Sequence, residues 1–265
     1  MTNTKKKNGN KRKLLGAIGM LTVSAAMLVS STFAWFSLNK KVTASTMQVR
    51  AQSRDPFLQI KASGDTNFAT ETTNLAQLTS EAKLYLVAPT SISGTTVAWG
   101  STFSTNPAEV QETKTVDAVA TDKLSEYVLE DTLTLKNAST TTTAEEVEIT
   151  TVTITPTTGD KIAPAARILF VWAEGHAMYN GSGTLIDGTD RLPDIAPGGT
   201  KELKVYMYFD GTDTASYTNN MDGDSFKNVD ASFVFTLKEG EDHHATATAT
   251  PTPGYTFPTV ATAAP

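Results

Sequence analysis

Arg167-Ile168-Leu169-Phe170-Val171-Trp172-Ala173 carries one charge, at its first position, and is apolar thereafter. Successive side chains of a β-strand point to opposite faces, so a run that is apolar at every position leaves no face for water. The stretch therefore reads as a central strand. Two further stretches show the kind of sheet around it. In residues 202–210, Leu203, Val205, Met207 and Phe209 alternate with Lys204, Tyr206 and Tyr208. In residues 229–238, Val229, Ala231, Phe233, Phe235 and Leu237 alternate with Asp230, Ser232, Val234 and Thr236. A period of two with one apolar face is the pattern of a half-buried antiparallel strand.

The rest of the chain is written in the same idiom. Thr is frequent, and Val, Ile, Phe and Tyr recur in short runs, a composition that favours strands. Further strands are expected at 42–50, 56–62, 83–88, 127–136 and 147–155. Turn signals separate them: Asp187-Gly188, Pro197-Gly198-Gly199, Asp210-Gly211 and Asp222-Gly223. Asn106-Pro107-Ala108-Glu109 has the N-cap and N1 residues of a helix start, and residues 121–126 suggest a short helical turn. No βαβ rhythm and no long 3.6-residue period are present. The expected class is all-β, a jelly-roll-like two-sheet antiparallel sandwich with short helices in its loops.

Charge is unevenly distributed. The first 34 residues hold Lys5, Lys6, Lys7, Lys11, Arg12 and Lys13 and no acid, which leaves 16 basic against 28 acidic residues in the remainder. That acidic remainder repels nucleic acid and anionic membranes, so neither is an expected partner of the mature chain. Absence of cysteine excludes a disulfide framework, a thiolate metal site and a cysteine nucleophile.

Behind the basic residues, 14–36 runs 23 residues without a charge and reaches Thr32-Phe33-Ala34. A basic start, an apolar middle and a small residue at the end describe an export signal helix with cleavage after Ala34 and Trp35 as the new N-terminus. An uncleaved signal anchor is the alternative, since 23 residues can span roughly 30 Å of hydrocarbon. Either way the rest of the chain lies outside, and the membrane is met only through this segment. The expected organisation is 1–34 signal peptide, 35–52 mature N-terminal strand, 53–239 β domain and 240–265 tail. The tail holds an Ala-Thr repeat and Pro251, Pro253 and Pro258, and reads as extended and poorly ordered. It contains no LPxTG-type sorting signal, so sortase anchoring is not expected.

Ser31-Thr32-Phe33-Ala34-Trp35-Phe36-Ser37-Leu38-Asn39-Lys40-Lys41-Val42-Thr43-Ala44-Ser45-Thr46-Met47-Gln48-Val49 resembles the processing region of the TasA/CalY/camelysin family of secreted biofilm-matrix fibre proteins. Ile195-Ala196-Pro197-Gly198-Gly199-Thr200, followed by Leu203-Lys204-Val205, is similar to a turn-then-strand element of the same jelly-roll proteins. The resemblance implies Gram-positive-type export, cleavage by a SipW-type signal peptidase at Thr32, Ala34 and Trp35, and head-to-tail polymerisation. In that family the strand after the cleavage site is donated to a neighbouring subunit. Mapped here, the donor spans 35–52, with Trp35, Phe36, Leu38, Val42, Ala44, Met47 and Val49 as its assembly residues. The implied partners are further copies of this chain, the peptidase, and a minor initiator or anchoring subunit. The Thr/Ala/Pro tail and the loop insertions depart from the family pattern.

A donated strand supplies main-chain hydrogen bonds to a sheet edge and fills pockets with alternate side chains. Leu38, Val42 and Ala44 share one parity, and Met47, Val49 and Ala51 the other. A bulge or break therefore belongs near Ser45-Thr46. The plainer reading makes 42–50 the first strand of the domain's own sheet.

Enzymatic chemistry finds little support. The three histidines, His176, His243 and His244, match no HExxH pattern; Glu174-Gly175-His176 comes nearest. No Gly-x-Ser-x-Gly elbow and no phosphate loop occur. The acidic pairs Glu130/Asp131, Glu145/Glu146 and Glu241/Asp242 are typical of solvated positions, and no cofactor is expected. Asp187/Asp190, Asp210/Asp213 and Asp222/Asp224 are oxygen-rich loops of the sort calcium takes, but Asp-Gly turns arise for backbone reasons alone. Trp99, Trp172, Tyr206 and Tyr208 are candidates for a carbohydrate platform or for core packing. The alternatives to a fibre subunit are a monomeric surface adhesin or glycan-binding module held by an uncleaved anchor, and a secreted metalloprotease dependent on His176.

Overall fold

Residues 166–172 do lie at the centre of a sheet, and every one of them is buried. The computed structural model describes residues 42–43, 47–53, 57–73, 75, 83–101, 115–155, 163–216, 229–237 and 254–260. Within them the chain is all-β. Its strands are β1 (Val42–Thr43), β2 (Met47–Ser53), β3 (Leu58–Ala62), β4 (Glu71–Thr72), β5 (Lys83–Leu84), β6 (Val87–Ser93), β7 (Thr96–Ser101) and β8 (Thr115–Ala118). They continue with β9 (Leu129–Asn137), β10 (Val147–Thr155), β11 (Ala166–Trp172), β12 (Gly175–Tyr179), β13 (Leu185–Gly188), β14 (Thr200–Phe209), β15 (Val229–Leu237) and β16 (Thr259–Val260). Thr121–Glu126, expected as a helical turn, is a 3-10 helix. The expected helix start at Asn106 and the signal segment lie outside the described residues.

Six strands in the order β13-β12-β11-β14-β9-β3 form the middle sheet, with every pair antiparallel. A second sheet, β10-β15-β2-β4, packs on one of its faces. The shared core takes Ile168, Phe170, Trp172, Val205 and Phe209 from the middle sheet and Val147, Ile154, Phe233 and Phe235 from its partner. Phe170 is the hub. Its ring meets Phe233 at 4.8 Å, Phe235 at 6.4 Å and Tyr179 at 5.9 Å, all edge-to-face, the arrangement that aromatic quadrupoles favour.

Two layers are not the whole of it. The other face of the middle sheet carries Leu169, Val171, Met178, Tyr206 and Tyr208, and these are buried beneath Val87, Trp99 and Val128. The cover comes from a third sheet, β16-β8-β7-β6, and its flanking loops. The expected two-sheet sandwich thus gains a layer. The reason is written in 167–173: a strand apolar on both faces needs something on each side.

Local chemistry accounts for the details. The apolar parity of 147–155 changes between Ile149 and Val152, and the ladder to β15 slips there, which makes Thr150 the extra residue of a bulge. Trp172 pairs with Gly175 across the tight β11–β12 turn, and a Cβ on Gly175 would sit 3.2 Å from the Trp172 ring. Asp187-Gly188, expected as a turn, instead ends β13 in the ladder to β12; Gly188 has φ +78°, and a Cβ there would meet the His176 carbonyl at 2.0 Å, so the position admits only glycine. Asn137, nearly inaccessible, donates to the Thr142 and Ile195 carbonyls at 2.7 and 2.9 Å and ties the loops at one end of the sandwich.

Charge placed under either layer tests this layering. Phe170→Asp and Val171→Asp are each expected to cost more than about 3 kcal/mol in urea unfolding, since each buries an unpaired carboxylate. A Val171→Asp chain as stable as the parent would mean that the outer face of the middle sheet is open to water.

Candidate functional site

The segment expected to act in assembly enters the described fold in two pieces. Val42–Thr43 pairs antiparallel with Lys83–Leu84, apart from the main sheets. Met47–Ser53 instead runs parallel to β15, with all seven residues in register from Val229↔Met47 to Phe235↔Ser53. The two described pieces thus serve different partners; Ser45-Thr46, where the parity changes, lies outside the described residues. Thr32, Ala34, Trp35, Phe36, Leu38 and Ala44 lie outside the described residues.

The surroundings of β2 are unequal. One edge is bonded along its whole length to β15. On the other edge, among the described residues, the ladder to β4 takes in only Ala51 and Gln52. Parallel pairing is also the exception in this fold; among the described ladders only β15–β2 and β16–β8 are parallel. A parallel neighbour cannot be reached by a tight hairpin and must arrive by a long connection or from elsewhere. Register sets Val49 and Ala51 opposite Ala231 and Phe233, two residues of the main core. The alternation in 229–238 made β15 legible as a strand, but no signal in it revealed that the N-terminal strand would be its partner.

The acidic loops resolve into different structures. Asp210, 1 % exposed, lies 3.4 Å from Nε of Arg167, whose guanidinium also pairs with Asp213. Arg167 further donates to the Pro164 and Ala166 carbonyls at 2.6 and 3.0 Å. The positive partner of this loop is thus an internal guanidinium. Burial works against the Arg167 charge, but Asp210 and Asp213 outweigh it and hold the group protonated. Burial raises the Asp210 carboxyl, against the pull of Arg167 and of two hydrogen bonds from Thr212. Asp187 faces Nε2 of His176 at 3.0 Å. Asp190 accepts the Ile149 amide through its backbone carbonyl at 2.9 Å. Asp222 and Asp224 lie outside the described residues. Among the described residues no three His, Cys, Asp or Glu side chains are grouped to hold a metal.

The remaining candidates separate likewise. Glu174 pairs with Lys201 at 2.8 Å while His176 pairs with Asp187, so the two do not share a partner. Glu130 bonds Lys204 at 3.1 Å and accepts the Tyr206 hydroxyl at 3.3 Å, whereas the Asp131 carboxylate takes the Thr132 amide. Trp99, Trp172, Tyr206 and Tyr208 are all buried. They are core residues of the two apolar clusters and present no open aromatic platform, which corrects the carbohydrate-platform reading. Tyr206 and Tyr208 misled because a tyrosine on the polar side of an alternating strand usually points its ring at solvent; here the third sheet covers them.

Sequence reasoning missed the end of the tail. Residues 254–260 pack on the outer cluster, with Tyr255 and Phe257 against it and Thr259–Val260 paired to Thr115–Val116. The Ala-Thr repeat and the prolines set the reading of the tail, although Tyr255, Phe257 and Val260 were there as a signal. Among the described residues no helix is long and apolar enough to cross a membrane. Searches of protein-family models, curated proteins and solved structures find no match for this chain.

Tyr179, Tyr208 and Tyr255 are held above the usual phenol range, in each case first by burial. A phenol whose pKa is raised on folding stabilises the fold while neutral; that contribution is complete below the unfolded pKa of about 10 and is lost as pH rises through the folded value. Melting temperature is accordingly expected to fall steadily above about pH 10. A level profile to pH 11.5 in thermal melts would contradict the burial of these rings.

Proposed function

We propose that this chain is a secreted structural subunit of extracellular matrix or surface fibres, similar to the TasA/CalY/camelysin proteins. On this reading residues 1–34 are a signal peptide, a SipW-type peptidase cuts after Ala34, and the β domain is an elaborated jelly roll. The new N-terminal strand, 35–52, passes into the neighbouring subunit. Further copies are the main partner, with a minor initiator or anchoring subunit beside them.

The observation that supports this reading most is the seven-residue parallel ladder between β2 and β15. A strand that joins its sheet by its backbone, without a hairpin to its bonded neighbour, can be supplied by any chain of the same sequence. Exchange replaces each hydrogen bond by its equivalent, so little contact energy separates the closed monomer from the linked pair. The outcome depends on concentration and on the cost of holding the connection. Each subunit then gives one strand and accepts one, a heterologous contact that does not close and so propagates into filaments.

The adhesin alternative loses its candidate aromatic platform to the core. The metalloprotease alternative has no set of ligands around His176 to draw on among the described residues.

The test compares the chain beginning at Trp35 with a copy lacking 35–52, by negative-stain electron microscopy. Filaments from the intact form alone are expected, with addition of free 35–52 peptide in excess capping their growth. Monodisperse globules from the intact form across a range of concentrations would refute strand-driven assembly.

A further inference from the structure

The C-terminal segment is built like a bound peptide. Tyr255 and Phe257 stack edge-to-face at 5.3 Å and lie against the cluster of Val87, Trp99, Tyr206 and Tyr208. Pro258 beside them is buried, whereas Gly254 and Thr256 are exposed. The Tyr255 hydroxyl lies 3.1 Å from that of Thr212, which in turn donates to Asp210 at 2.6 Å. Thr259–Val260 then adds to the open edge of the third sheet, parallel to Thr115–Val116. A short ladder on a sheet edge with alternate side chains in pockets is how folded domains take extended peptides.

This peptide is tethered. Sixteen residues, 238–253, join it to β15, with a fully extended reach of about 50 Å. Among the described residues, the main core between the first two sheets takes none of 254–260. The tail's own ladder is two residues long, so it can open without unfolding the sandwich.

We propose that residues 254–260 are a tethered strand ligand, and that the groove they fill accepts the same segment from a second copy of this chain. A tether of this length holds its own tail at an effective concentration on the order of millimolar, so dilute chains keep it in cis. Copies held side by side bring a second tail to comparable concentration, and exchange follows. The groove lies on the third sheet and the β2–β15 ladder in the second, so tail exchange does not rest on the N-terminal strand being donated.

The experiment starts from the chain from Trp35 onward, with a site-specific protease sequence placed within residues 245–250 and cut only after folding. A fluorescent peptide of residues 251–265 is then added, and circular dichroism confirms that the cut chain keeps its strands. The expected result is saturable uptake of one peptide per chain, at least about tenfold weaker for a Tyr255→Ala peptide and for the uncut chain, whose own tail competes. A Tyr255→Phe peptide, which keeps the ring and loses the hydroxyl contact with Thr212, is expected to fall between. A folded, cut chain that takes up no peptide, or takes the Tyr255→Ala peptide equally well, overturns the proposal. Uptake that is the same in cut and uncut chains also overturns it, because the peptide would then be binding elsewhere.

Discussion

Phe170 and Val171 are neighbours on one strand, face opposite ways, and are both withdrawn entirely from water. Everything else in the fold answers to that demand. A single sheet cannot bury both, so β11 needs a layer on each side. The second sheet supplies one, with Phe233 and Phe235 edge-on to Phe170. The third supplies the other, with Trp99 lodged edge-on to Tyr206 and Tyr208 at 5.4 and 4.9 Å. Fully burying one such side chain is worth roughly 1.5–3 kcal/mol against exposure, so leaving either face open would forfeit much of the net stability of a domain.

What was legible follows from where the hydrophobic pattern is self-sufficient. Residues 147–155 were bounded from sequence as they stand in β10, and the strands at 166–172, 200–209 and 229–237 were found to within a residue or two. In each, the side chains that carry the pattern are the ones that pack. The missed strands β4, β7, β8, β12, β13 and β16 are short, none longer than six residues, and of β6 only Val87 and Ala88 fell within an expected strand. They are strands because an edge lies beside them, and a sequence does not print its edges. The N-terminal segment was legible only in part. Strand character at 42–50 could be read from its residues, but the change of partner from β5 to β15 and the parallel direction of the second pairing depend on long-range topology. The buried Arg167 pair was hidden too, because an Asp-Gly-Thr-Asp loop looks the same whether it faces solvent, a calcium ion or an arginine 43 residues upstream of Asp210.

Among the described residues two strands join their sheets by parallel ladders, β2 along β15 and β16 along β8. In ladders that are otherwise antiparallel, these two pairings are the ones no tight hairpin can dictate. The core between them is aromatic, cross-braced and free of disulfides. The proposed fibre role fits this division: a rigid body that carries the load and terminal strands that can be lent.

The most direct measurement of that claim uses the absence of cysteine in the native chain. Val49 and Ala231 are paired across the β2–β15 ladder, a separation on the order of the 4.4–6.8 Å between Cα atoms that a disulfide spans. Val49→Cys and Ala231→Cys are placed in one chain that begins at Trp35, assembled filaments are oxidised, and the product is run on a denaturing, non-reducing gel. Strand donation predicts a ladder of covalent multimers that collapses to monomer on reduction. Oxidised monomer alone, with its thiols consumed, would show that each chain keeps its own first strand, and would contradict the account.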